Sequence, residues 1–145
     1  MEIPDYIPIK EVTEVCKKLN IRDCTKLEKA EVTDHEAQKI LAELDVGDMK
    51  ISLKNFRMGL EVELEHGIRF PEANVTNNHP ILTGKIVLAH FKETLDYYQR
   101  LDVAEIEGDL LKALVNKNPS KVAALYEKLL KAKRELSAEE SKRLK

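Results

Sequence analysis

The chain has 145 residues, 43% of them apolar and 34% charged, with no Trp, five Gly and five Pro; a net charge of -2 divides into +5 over residues 117–145 and -7 over the rest. That length suits a single domain over residues 1–145, burying about 68% of the surface its unfolded form would expose, and the composition favours a helix-rich chain over a β-sandwich or a disordered polymer. No apolar run reaches the ~20 residues of a spanning helix, and "MEIPDYIPIKEV" lacks the basic-then-apolar layout of a signal peptide, so no membrane contact and a cytoplasmic location are expected.

The first predicted helix runs from about Pro8 to Leu19, with Pro near its first turn and an apolar stripe Ile9, Val12, Cys16, Leu19. Cys16 and Cys24 fit neither zinc-finger nor CxxC spacing and are read as buried thiols. A second helix starts at Thr33, where Thr33 and Glu36 have capping-box spacing, and stops near Gly47. The third is expected from Ser52 as N-cap to Gly67 as the residue past its end, with Arg57 and Glu61 paired one turn apart. The fourth opens at Pro80 and continues through Tyr98 to about Leu101. Further helices are expected over about Asp109–Val115 and from "NPSK" onward, with Val122, Leu125, Tyr126, Leu129 and Leu130 on one side. The tail has its own Ser137/Glu140 capping pattern. Only "KAEV" and "MKIS" hint at strands. The expected fold is all-α, a compact bundle of five to six helices around antiparallel central helices over about 53–66 and 80–101.

Those central helices carry mirrored motifs, Glu63-x-x-His66 and His90-x-x-Glu93, on either side of a 13-residue connection from Gly67 to His79. At 100° per residue, Gly59, Glu63 and His66 fall opposite the charged side of the third helix. On the fourth, Ile86, Val87, His90, Thr94 and Tyr97 face inward, while Lys85, Lys92, Asp96 and Gln99 face water and Glu93 lies on the flank. Antiparallel packing would bring His66 level with His90 and Glu63 level with Glu93, each pair within about 4.5 Å along the axis. Two imidazoles and two carboxylates suit one divalent Fe, Zn or Mn ion, the carboxylates offsetting its charge. His35, Glu36 and His79 are candidate additional donors, and Tyr97 and His79 candidate outer-shell groups. The bland alternative is a satisfied polar network without an ion.

The runs "FRMGLEVELEHG", "NVTNNHPILTGKIVLAH" and "DYYQRL" resemble an uncharacterised microbial domain-of-unknown-function family over about Val32 to Leu101. Residues 1–31 then form an N-terminal helical extension and 102–145 a basic C-terminal one. The resemblance implies no activity, and its usual Asn-Asp-Asp-Pro loop does not support a ligand role for His79, which stands in this chain's loop of Asn77, Asn78, His79 and Pro80. Asn74, Thr76, Asn77 and Asn78 are expected to brace the loop and cap the fourth helix through side-chain hydrogen bonds.

Two function classes compete. One is a metal-binding protein using Glu63, His66, His90 and Glu93, an enzyme only if a coordination position stays open. The other is a non-enzymatic interaction or scaffold module that meets a protein partner, or a second copy through Val122, Leu125 and Leu129. Its contact surface would be the basic C-terminal helices with Lys128, Lys131, Lys133, Arg134, Lys142 and Arg143. The acidic remainder of the chain argues against nucleic acid.

Overall fold

A computed structural model describes residues 7–144; residues 1–6 and Lys145 lie outside the described residues. The chain is all-α, as its periodicity implies, with α1 (Ile9–Leu19), α2 (Asp34–Ala42), α3 (Leu53–Arg69), α4 (Pro80–Glu93), α5 (Tyr97–Val115) and α6 (Pro119–Arg143). Short 3₁₀ turns occur at Cys24–Lys26 and Pro71–Ala73, and neither "KAEV" nor "MKIS" forms a strand. The helices sort into two compact units, Met1–Glu93 and Thr94–Lys145.

In the first unit, α1 ends as a Schellman motif. Asn20 takes a left-handed φ of 55°, its N–H reaches the Lys17 carbonyl, and the Ile21 N–H reaches the Cys16 carbonyl. Ile21 then packs against Val12, Cys16 and Cys24. The α2 capping box forms as the spacing predicts: the Thr33 hydroxyl accepts the Glu36 N–H, and the Glu36 carboxylate accepts the Thr33 N–H at 2.9 Å. That carboxylate also accepts two side-chain hydrogen bonds from Arg22, both 2.7 Å long. Arg22 donates to the Glu31 carbonyl as well, so one guanidinium ties the segment after α1 to the start of α2.

α3 begins where expected, the Ser52 hydroxyl accepting the Asn55 N–H, but it runs through Gly67 to Arg69. Gly67 serves close approach rather than termination. A Cβ there would collide with the Asn78 side-chain oxygen and lie 2.8 Å from the Asn74 amide nitrogen. Nor do Arg57 and Glu61 pair with each other. Arg57 bonds Asp34 at 3.0 Å and Glu61 accepts the Val32 N–H at 3.1 Å, so both fasten α3 to the beginning of α2.

Gly84 lets α4 close on its neighbours. A Cβ there would stand 2.7 Å from Leu44 Cδ1 and 3.0 Å from Ile40 Cγ2, with the Phe56 ring 3.4 Å away. Phe56, Leu60, Ile40, Val87 and Phe91 are buried, each contributing about 1.5–3 kcal/mol by leaving water. Phe56 lies beside Gly84, Glu63 reaches His90 and Gly67 lies against Asn78 just ahead of α4, so α3 and α4 cross rather than keep level along their lengths. An antiparallel register would instead pair later residues of α3 with earlier ones of α4 along the whole length.

The helix expected over 80–101 is two helices. α4 stops at Glu93, and α5 starts at Tyr97 after a turn closed by the Tyr97 N–H on the Thr94 carbonyl. The break shifts the helical phase, so Asp96 and Gln99, expected on the wet side, are buried. The segment Asp109–Val115 is not a separate helix but the end of α5.

The second unit is a helical hairpin. Glu107 pairs with Lys133, Arg100 with Glu140 and Asp96 with Arg143, partners stepping in opposite directions along α5 and α6. Its turn is a second Schellman motif: Lys117 takes a φ of 50°, and the Lys117 and Asn118 N–H groups reach the Leu114 and Ala113 carbonyls. The Asn118 side chain caps α6 through the Lys121 N–H. α6 continues unbroken through Ser137 to Arg143, so the capping pattern in the tail starts no helix of its own.

Candidate functional site

Glu63 is the centre of the mirrored motifs. It stands on the third turn of α3 with its side chain 14% exposed, Oε1 3.5 Å from His90 Nε2 and Oε2 4.0 Å from His66 Nδ1. One carboxylate therefore serves two imidazoles through different oxygens. His90 is partly buried, whereas the His66 side chain is 60% exposed and does not point inward as its position around α3 suggests. The expected levels are also displaced: His90 faces Glu63 rather than His66, because α3 and α4 do not pack in antiparallel register. Glu93, in the last turn of α4, is exposed.

Donors around one tetrahedral ion with bonds of about 2.0–2.1 Å sit roughly 3.3 Å apart. The His90–Glu63 separation is close to that edge, while His66 is further out. Among the described residues, no three His, Cys, Asp or Glu side chains are already arranged to hold a metal.

The other candidate donors are elsewhere occupied or solvated. His79 is buried and caps α4, its Nδ1 accepting the Ile81 and Leu82 N–H groups at 3.2 and 3.3 Å. Pro80 between them occupies the position that needs no N–H acceptor. Burial lowers the His79 pKa, which keeps the ring neutral and Nδ1 an acceptor. The helix cap is thus the histidine rather than the asparagines before it. Those do brace the loop: Asn74 bonds Asn78 and the Gly67 carbonyl, Asn77 bonds the Ile7 carbonyl at 2.7 Å, and Asn78 bonds the Cys24 carbonyl. Glu36 belongs to the α2 cap, His35 is exposed, and Tyr97 lies in the second unit, edge-on to Tyr98.

The second unit presents a different kind of site at the hairpin turn. Leu111, Leu114, Val115 and Tyr126 are each more than half exposed, an unusual concentration for apolar side chains of this size. Leu114, Pro119, Val122, Ala123 and Tyr126 line an open groove of about 550 Å³ with Lys117 and Asn118 at its rim. From Leu111 to Lys131 the sequence has five lysines and one acid, Glu127; Lys117 lines this groove, Lys112 pairs with Asp109, and Lys128 and Lys131 line a separate hollow with Asp102 and Glu135.

This surface is not the one read from the stripe Val122, Leu125, Leu129. Leu125 and Leu129 are buried, which removes them as a contact face for another chain. Of the expected basic contacts, Lys133, Lys142 and Arg143 are engaged in ion pairs with Glu107, Glu139 and Asp96. The cation that lines the apolar groove is instead Lys117, at the turn. In the sequence the groove was signalled by "LLKALV" running apolar around more than one side of the helix.

No described helix is long and apolar enough to cross a membrane. The family described as "Protein of unknown function (DUF5661)" matches residues 12–107, a longer stretch than the 32–101 of the resemblance, beginning within α1 and ending within α5. No curated protein and no solved structure matches the chain.

Proposed function

The chain belongs to the DUF5661 family of proteins of unknown function, and we propose that it works as a non-enzymatic interaction module whose helical hairpin seats an acidic, amphipathic protein segment. The observation that carries this reading is the exposed apolar groove at the α5–α6 turn with Lys117 in its lining. An open groove takes inserted side chains, as when the apolar face of a helix lies in a cleft, and Lys117 supplies attraction and orientation for a carboxylate on the partner's wet face. Tyr126 is the natural anchor, offering a large apolar area at small cost in rotamer freedom.

The test uses a labelled helical peptide with Leu and Phe at i, i+3, i+4 and i+7 and Glu elsewhere, followed by fluorescence anisotropy. Saturable binding is expected, weakened about tenfold or more by Leu114→Ser/Tyr126→Ser and weakened again by raising the salt, which screens Lys117. Both side chains are already more than half exposed, so the variant should keep its helix content. Equal binding by the variant would overturn the reading. So would a chain that ignores the peptide, whether it binds nothing, binds vesicles of anionic phospholipid, or pairs with itself.

A second reading rests on Glu63 alone. A carboxylate shared by two imidazoles can admit a divalent Zn, Fe or Mn ion if His66 swings from solvent towards Oε2, with Glu93 as a further donor and water completing the shell. On calorimetric titration with Zn²⁺ the tag-free chain is expected to bind one ion, with affinity falling at least tenfold in His66→Ala/His90→Ala. A folded wild type that takes up no Zn²⁺, Fe²⁺ or Mn²⁺ excludes this site and leaves the groove reading intact.

A further inference from the structure

Both cysteines of the chain lie in the first unit, Cys16 in the last turn of α1 and Cys24 opening the 3₁₀ turn that follows. The left-handed Asn20 reverses the chain and brings the second back onto the first. The Cys24 N–H donates to Cys16 Sγ at 3.4 Å, and the Cys24 thiol donates to the Arg22 carbonyl at 3.7 Å. The two are free thiols, enclosed with Val12 and flanked by Ile7, Ile21 and Leu27.

We propose that Cys16 and Cys24 form a redox-active thiol pair, with Cys16 as nucleophile and Cys24 as resolving partner, that a small peroxide converts to an intrachain disulfide. The arrangement assigns the roles. The Cys24 N–H on the Cys16 sulfur stabilises negative charge there, and hydrogen bonding from Cys24 brings the Cys16 pKa down to about 7, against burial and the charges of Asp23 and Glu36. Cys24 has its pKa raised by the neighbouring Cys16 and by burial, and its thiol keeps the proton it donates to the Arg22 carbonyl. With the Cys24 backbone already on Cys16 Sγ, bonding of the two sulfurs requires the Cys24 thiol to turn from the Arg22 carbonyl towards Cys16.

The chemistry balances with hydrogen peroxide as the oxidant. The Cys16 thiolate attacks one peroxide oxygen, the O–O bond breaks, and the departing hydroxide takes a proton to become water, leaving Cys16 as a sulfenic acid. The Cys24 sulfur then attacks Cys16 Sγ as its thiol proton leaves. The S–O bond breaks, a second water departs, and two thiols have given two electrons to one peroxide. A dithiol reductant reverses the change by exchange.

The experiment treats the reduced full chain with hydrogen peroxide and follows intact mass and the thiol count after denaturation. Expected is the joint loss of both thiols in a monomer lighter by two hydrogens, restored by dithiothreitol. Cys24→Ser should accumulate a Cys16 sulfenic acid that dimedone traps, and Cys16→Ser should react with peroxide at least tenfold more slowly. Persistence of both thiols in the treated wild type would overturn the proposal, as would disulfides only between chains or wild-type reactivity in Cys16→Ser. The wild-type readouts stand even where a variant folds poorly.

Discussion

Glu36→Ala is expected to destabilise the first unit by about 2–4 kcal/mol, the cost of removing one member of a mostly buried ion pair together with a helix cap. The Glu36 side chain is 10% exposed and its carboxylate accepts from the Arg22 side chain and from Thr33; without it, the Thr33 N–H and the guanidinium lose their acceptor together. Because Arg22 is half-exposed and regains water, the lower half of that range is the more realistic. The loss should depend on pH in a definite direction. Burial alone would raise the Glu36 pKa, but hydrogen bonds from Arg22 and Thr33 outweigh it and hold the value at about 2. A carboxylate with a lowered folded-state pKa stabilises fully above its unfolded value of about 4.3 and loses that contribution as pH falls towards 2. Denaturation of wild type and Glu36→Ala, followed by circular dichroism at pH 7 and pH 3, should therefore show a gap that narrows in acid. A gap below about 0.5 kcal/mol at pH 7, the usual range of inert surface changes, would refute the account.

Asp96→Ala is the corresponding change in the second unit, with an expected cost of about 2–3 kcal/mol. Asp96 is 1% exposed in the turn before α5 and meets Arg100 at 2.8 Å and Arg143 at 3.1 Å, while Thr94 donates to the same carboxylate. Burial opposes ionisation, yet the hydrogen bonds from Arg100 and Thr94 and the charge of Arg100 hold the pKa below the usual aspartate value. The consequence is local as well as global. The last turns of α6 are expected to lose hydrogen-exchange protection by about tenfold or more, because Arg143 would lose its buried partner. Glu140→Gln, which touches only the half-exposed arm of the same network at Arg100, should cost less. Unchanged exchange over residues 138–144 in Asp96→Ala would show that the tail is held by something else.

Local signals were the most legible part of the sequence. Thr33 with Glu36 and Ser52 marked helix starts that formed with those side chains as caps, because capping is decided by residues within one turn. The break at Thr94–Asp96 was not legible: the apolar pattern of α4 continues into "LDYY", and what ends the helix is a turn fixed by Asp96 and an arginine 47 residues away. Every wheel position beyond Glu93 inherited that error. The metal hypothesis failed to place His66 for a related reason, since spacing gives the direction of a side chain only when the crossing of the two helices is known. The tail's capping pattern suggested a helix with almost no apolar face to hold it; the helix is there as the continuation of α6, tied by Glu140 and Arg143 to charges at the start of α5. Pairings between residues so far apart leave no periodic trace.

The turn residue Lys117 sets stability against recognition at a single position. Its left-handed backbone is one that glycine adopts freely and a side chain with a Cβ enters at roughly 1 kcal/mol. Glycine there would relax the hairpin and at the same stroke remove the cation from the rim of the groove. Selection for a sturdier scaffold and selection for a stickier one would therefore pull this codon in opposite directions.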